Sequence, residues 1–154
     1  MIIYFADRYM NILGQASTEL PNGLIITDDL KTEDTETGIN IFECKIPFSS
    51  ETMRSVDICT AVGNYLLRSN NGENEFYTII DTERDTKKQT VTIYAEDAGL
   101  DLLNEIVGEY EASSALPIKN YIELFAQDSG FVIGINETGT LKKQLAWDDE
   151  STAS

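Results

Sequence analysis

The sequence contains no histidine, which removes the usual general base of serine and cysteine nucleophiles and the commonest zinc ligand. Cysteine is almost as scarce. Cys44 and Cys59 show no Cys-x-x-Cys spacing and sit among Phe42, Ile46, Val56 and Ile58, so they read as buried free thiols made in a reducing cytoplasm. Positive charge is also short: 11 Lys and Arg stand against 27 Asp and Glu, a formal net charge of −16. Such a chain repels nucleic-acid phosphates and anionic lipid, so no DNA-backbone binding is expected. The acidity serves solubility, or lines a surface that must not adhere to DNA. No apolar run approaches a membrane-spanning length. The opening Met1-Ile2-Ile3-Tyr4-Phe5-Ala6-Asp7 is too short and lacks the basic lead of a signal peptide. The protein is therefore expected to reach its destination by assembly rather than secretion.

The 154 residues suffice for one domain, or one domain and the beginning of a second, with a real core. Up to residue 97 short β-prone runs alternate with turn residues, which predicts an all-β region. Ile2-Ile3-Tyr4-Phe5 opens it, a second stretch ends at Gly14, and Pro21-Asn22-Gly23 turns the chain ahead of Leu24-Ile25-Ile26. Residues 28–37 form an acidic, Thr-rich connection or edge. In residues 38–47 the apolar positions change parity between Ile41 and Phe42, which predicts a β-bulge there. Ser49-Ser50-Glu51 offers a helix N-cap, with Met53 and Val56 on the apolar side of a short helix. Strands are expected over 61–68, 75–82 and 90–95, with a tight hairpin at Asn70-Asn71-Gly72, a charged loop over 83–88, and Val91, Ile93 and Ala95 on one face. Together these suggest a barrel or strongly curled sheet.

After Asp97 the period changes. Leu100, Leu103 and Val107 predict a helix ended by Gly108; Pro117 opens a second, with Ile118, Tyr121, Ile122 and Phe125, that stops at Gly130. Residues 131–135 read as a buried strand whose partner is 141–147. Trp147 packs this second unit or anchors an interface. The expected fold class is thus mainly β with α+β. A curled antiparallel sheet or barrel-like tube domain spans 1–97, an α+β segment 98–147, and a linker or disordered end 148–154.

Candidate chemistry is sparse. Asp128-Ser129-Gly130 matches the aspartic-protease string, but the dyad needs two copies and Gly130 serves as a helix cap. Asp81, Glu83 and Asp85 alternate as at the opening of a calcium loop, yet Thr86 replaces the turn glycine and Thr92 the closing acid. The acidic stretch 28–36 lacks the ligand order too. Glycines stand singly at turns, without a phosphate-cradling loop, and the aromatics lack interleaved Lys or Arg. No catalytic, cofactor-binding or metal-binding residue is assigned, and no cofactor is expected.

Several segments carry a family resemblance. Met1-Ile2-Ile3-Tyr4-Phe5-Ala6-Asp7-Arg8 with Met10-Asn11-Ile12-Leu13-Gly14, then Asn74-Glu75-Phe76-Tyr77-Thr78-Ile79-Ile80-Asp81, are two of them. The strongest is Tyr94-Ala95-Glu96-Asp97-Ala98-Gly99-Leu100-Asp101-Leu102-Leu103-Asn104-Glu105, and Asp128-Ser129-Gly130-Phe131-Val132-Ile133-Gly134 fits as well. In these the chain resembles the N-terminal region of the phage tail family called prophage endopeptidase tail, or phage minor structural protein. The resemblance implies a structural, baseplate-hub-like protein of a tail tip in the virion, made in the bacterial cytoplasm. It implies a homotrimer in the assembled tail, with a monomer possible for this chain alone, and contacts to the distal tail protein and tail tube. None of the matching segments is catalytic. The chain is therefore not expected to be an enzyme, and any peptidase or wall-degrading activity is expected downstream of residue 154. The alternative is a fragment of a tail-associated peptidase or wall hydrolase using carboxylates. If the closing strands come from later sequence, unpaired edges are expected within 61–95.

Overall fold

Alternating inward apolar residues gather eight strands of the first unit, Met1–Ala98, into a single sheet in the computed structural model. The structure describes residues 1–19, 23–34, 36, 39–104, 106–107, 109–127, 131, 134, 139–147 and 150–151. The strands are β1 (Ile2–Ala6), β2 (Ile12–Ser17), β3 (Leu24–Ile25), β4 (Asp28–Glu33), β5 (Asn40–Pro47), β6 (Tyr65–Asn70), β7 (Glu73–Asp85) and β8 (Thr90–Asp97). Their order is β3-β2-β1-β6-β7-β8-β5-β4, antiparallel throughout except for the β2–β3 pair.

The two edge strands are consecutive in the chain, joined by Ile26 and Thr27. The Ile26 N–H donates to the Ser17 carbonyl at 3.0 Å on the β2 flank, and the Thr27 N–H to the Lys45 carbonyl at 3.0 Å on the β5 flank. The sheet is therefore curled until two residues bridge its edges, yet β3 and β4 do not pair and the barrel stays unclosed.

Inside the curl lie Ile3 and Phe5, Phe42, Cys44 and Ile46, Leu66, Tyr77 and Ile79, and Val91, Ile93 and Ala95, the period-two faces of β1, β5, β6, β7 and β8. Each large side chain here contributes roughly 1.5–3 kcal/mol of burial. Helix α1 (Met53–Cys59) adds Val56 and Cys59 to this core. It begins after a turn in which the Ser49 hydroxyl accepts the N–H groups of Glu51 and Thr52. Its seat is on β2, where a Cβ at Gly14 would come within 2.8 Å of Cys59 Sγ.

The mainly β fold with α+β character is what the sequence pattern indicated, and several details differ. Residues 40–47 hold register with both neighbours and carry no bulge; Ile41, 42% exposed, simply faces outward. The shifts fall between Phe5 and Ala6 and between Ile79 and Asp81. The second of these keeps Ile79 buried while turning Asp81 out. Strand β7 continues through the expected 83–88 loop to Asp85, because β8 offers it a full-length partner. Residues 61–64 are turn rather than strand. Strands β6, β7 and β8 are flanked on both sides, so the free edges are β3 and β4, not the expected 61–95.

The second compact unit is Gly99–Ser154. The helix expected after Asp97 is a 3-10 helix over Ala98–Asn104, followed by β9 (Ile106–Val107). Then come β10 (Tyr110–Glu111), β11 (Leu116–Pro117), α2 (Ile118–Phe125), β12 (Lys142–Lys143), β13 (Ala146–Trp147) and β14 (Glu150–Ser151). Pro117 is the N-cap of α2, and the helix ends at Phe125 rather than near Gly130. Tyr121 is buried; its hydroxyl donates to the Lys143 carbonyl at 2.7 Å and accepts the Leu145 N–H at 3.3 Å. Within residues 141–147, β12 pairs with β11 and β13 with β10, the strands preceding α2. Most of 131–135 and Gly108 lie outside the described residues. Within the segment expected as a linker, Glu150 and Ser151 pair with Val107 and Ile106.

Candidate functional site

Register brings charged residues together on the inward face of the first unit. Arg68 on β6 stands opposite Glu75 on β7, and Lys31 on β4 stands beside Phe42. The Glu75 carboxylate pairs with both Arg68 and Lys31, and Lys31 also pairs with Glu33. The Arg68 guanidinium lies 5.5 Å from the centroid of the Phe42 ring, which in turn packs on Tyr77 at 5.6 Å. Burial works against the charged form of Glu75, but the bonds from Lys31 and Arg68 outweigh it and hold its pKa below the usual value. Lys31 is held as an ammonium by Glu33 and Glu75. The Tyr77 hydroxyl is buried with no hydrogen-bond partner among the described residues. Burial, then the Glu75 charge, push this phenol up to about 12. A carboxylate held ionised is no general acid near neutral pH; its bonds tie edge strand β4 to the middle of the sheet.

The candidates singled out from the sequence are scattered by the fold. Asp81 and Glu83 lie on the outward face of β7 beside Tyr94 and Thr92, and the Tyr94 hydroxyl is 3.5 Å from Glu83. Asp85 accepts the N–H groups of Lys87 and Lys88 at 2.9 and 3.0 Å, which fixes the hairpin turn and lowers its pKa. Residues 28–33 of the acidic stretch are strand β4. Asp128-Ser129-Gly130 lies outside the described residues. Cys44 and Cys59 are both free and buried; burial pushes the Cys44 thiol up to about 12 and raises Cys59 also, so neither is a ready thiolate. Among the described residues no three His, Cys, Asp or Glu side chains are grouped to hold a metal ion.

A different kind of surface forms where α1 meets the β1–β2 turn. The Asp7 carboxylate accepts the N–H of Tyr9 at 2.8 Å, the N–H of Asn11 at 2.9 Å and the Asn11 amide at 2.8 Å. These bonds fix a tight turn with Met10 at φ 65° and hold Asp7 acidic. The turn presents Tyr9 at 87% and Met10 at 57% exposure, with Ile12 exposed beside them. Ile58 on α1 and Val62 on the connection after it are exposed too. The Asn64 side chain donates to the Ile58 and Cys59 carbonyls at 2.8 and 3.2 Å, and Gly63, at φ +84°, leaves room for the Arg8 guanidinium.

These features define a β-rich module with a second, small α+β unit and a braced apolar rim. No family model and no curated protein matches the sequence. Among solved structures the fold is similar to the prophage tail protein gp18 from Listeria monocytogenes EGD-e, with a TM-score of 0.54 and 11% identity. The likeness covers 99% of this chain and 42% of that one, so the chain spans less than half the length of that protein. No helix among the described residues is long and apolar enough to cross a membrane.

Proposed function

We propose that this chain is a structural module of a bacteriophage tail, acting by protein–protein assembly at the tail tip or baseplate hub. One observation carries the reading: the fold over 99% of the chain is similar to that of a prophage tail protein. The segments resembling the prophage-endopeptidase-tail family support it, as do the exposed apolar side chains of Tyr9, Met10, Ile12, Ile58 and Val62. In this reading the partners are further copies of the chain, in a trimer, together with the distal tail protein and tail tube. The protein then resides in the virion. The reading gives it no catalytic role of its own, in keeping with the described carboxyls whose pKa departs from the usual value, Asp7, Glu75 and Asp85, which are held low, the opposite of what a general acid requires. Immunogold electron microscopy of particles released by prophage induction tests the assignment. Label is expected at the tail end distal to the capsid; particles that stay unlabelled while the protein remains in the soluble fraction overturn it.

A further inference from the structure

Edge strand β4 exposes half of its backbone. Among the described residues it forms a ladder with β5 alone, so over the six residues Asp28–Glu33 alternate N–H and C=O groups point away from the sheet unpaired. Sheets usually guard such an edge with a proline, a bulge or charged side chains. Proline and bulge are absent from this one, and its charges are mostly acidic, Asp28, Asp29 and Glu33 against the inward Lys31. The β4–β5 register runs without a shift, no proline lies in the strand, and Lys31 is committed to Glu33 and Glu75. Instead Leu30 stands 59% exposed. With Asp28, Asp29, Glu43 and Lys45 it lines an open hollow of about 280 Å³. Lys45 is paired with Asp28 at 2.7 Å, so the hollow holds three carboxylates against one ammonium.

We propose that the β4 edge docks an extended, basic segment of a partner protein, which adds to the sheet as a further strand. Main-chain hydrogen bonds along β4 supply the attachment. An apolar side chain of the partner covers Leu30 on the outer face, and a Lys or Arg next to it, facing the other way, meets Asp29. A second copy of β4 fits poorly, because antiparallel pairing centred on the strand sets Asp28 of one copy against Glu33 of the other. The docking surface lies apart from the apolar rim around Tyr9 and Met10 and does not depend on the tail assignment.

The test uses the full chain and two blocked hexapeptides, one alternating lysine with valine and one alternating glutamate with valine, followed by amide chemical shifts at low salt. The lysine peptide is expected to shift the amides of 28–33 and of their partners on β5, with the glutamate peptide binding at least about tenfold more weakly. The variant Asp29→Lys is expected to reverse that preference while keeping the wild-type melting profile. Should it fail to fold, Asp29→Asn is expected to weaken the lysine peptide alone. Shifts centred elsewhere, equal binding of the two peptides, or no response at about 1 mM peptide overturn the proposal.

Discussion

Glu75 holds two cations that arrive from far apart in the sheet order, Lys31 from the β4 edge and Arg68 from β6. Glu75→Gln leaves the largely buried Arg68 guanidinium without its carboxylate, and a loss of about 2–4 kcal/mol is expected from the urea midpoint at neutral pH. The pH dependence follows from the depressed pKa. A carboxyl held below its unfolded value of 4.5 contributes its full stability above that pH and loses it as pH falls through the folded value. The difference between wild type and Glu75→Gln should therefore shrink below pH 4.5; a gap that stays constant from neutral to acid pH contradicts the assignment. Half of this cluster was legible in the sequence. A two-residue Asn71-Gly72 turn, adopted here with φ of 52° and 88°, sets β6 against β7 so that Arg68 faces Glu75. Lys31 was not legible, because its approach depends on the curl of the whole sheet.

At the scale of elements, α1 is seated through one close contact, Gly14 beneath Cys59. Gly14→Ala places a methyl 2.8 Å from the sulfur and is expected to cost about 1–3 kcal/mol. Cys59→Ala makes room for that methyl, so the double variant should be more stable than the sum of the two single losses predicts. Strict additivity in denaturation curves would show that α1 is not seated there. A period-two strand such as β8 was readable because alternation and burial coincide in it. The 3-10 helix was not: Leu100 and Leu103 stand three apart, a spacing that three residues per turn satisfies as well as 3.6. The bulge was misplaced because Ile41, an apolar residue facing outward on β5, imitates a change of face, whereas the real shift beside Ile80 sits in a run where either neighbour could face the core.

For the whole molecule the net charge of −16 sets a self-repulsion that folding concentrates. Raising salt from about 10 mM to about 150 mM shortens the screening length from about 30 Å to about 8 Å. The thermal midpoint is therefore expected to rise across that range, even though the Glu75 pairs weaken slightly. A midpoint that falls means that the ion pairs outweigh the repulsion.

The two residues that bridge the sheet edges also constrain the order in which the wall is built. Strands β6, β7 and β8 follow one another through tight hairpins, whereas β1 must find β6 and β5 must find β8 across long stretches of chain. Loop-closure entropy favours the meander first and the flanking β1–β2 and β4–β5 hairpins next. Only then are the Ser17 and Lys45 carbonyls both in place to receive Ile26 and Thr27. In pulse-labelled hydrogen exchange during refolding, those two amides should gain protection after every other strand; early protection would move the seam into the nucleus.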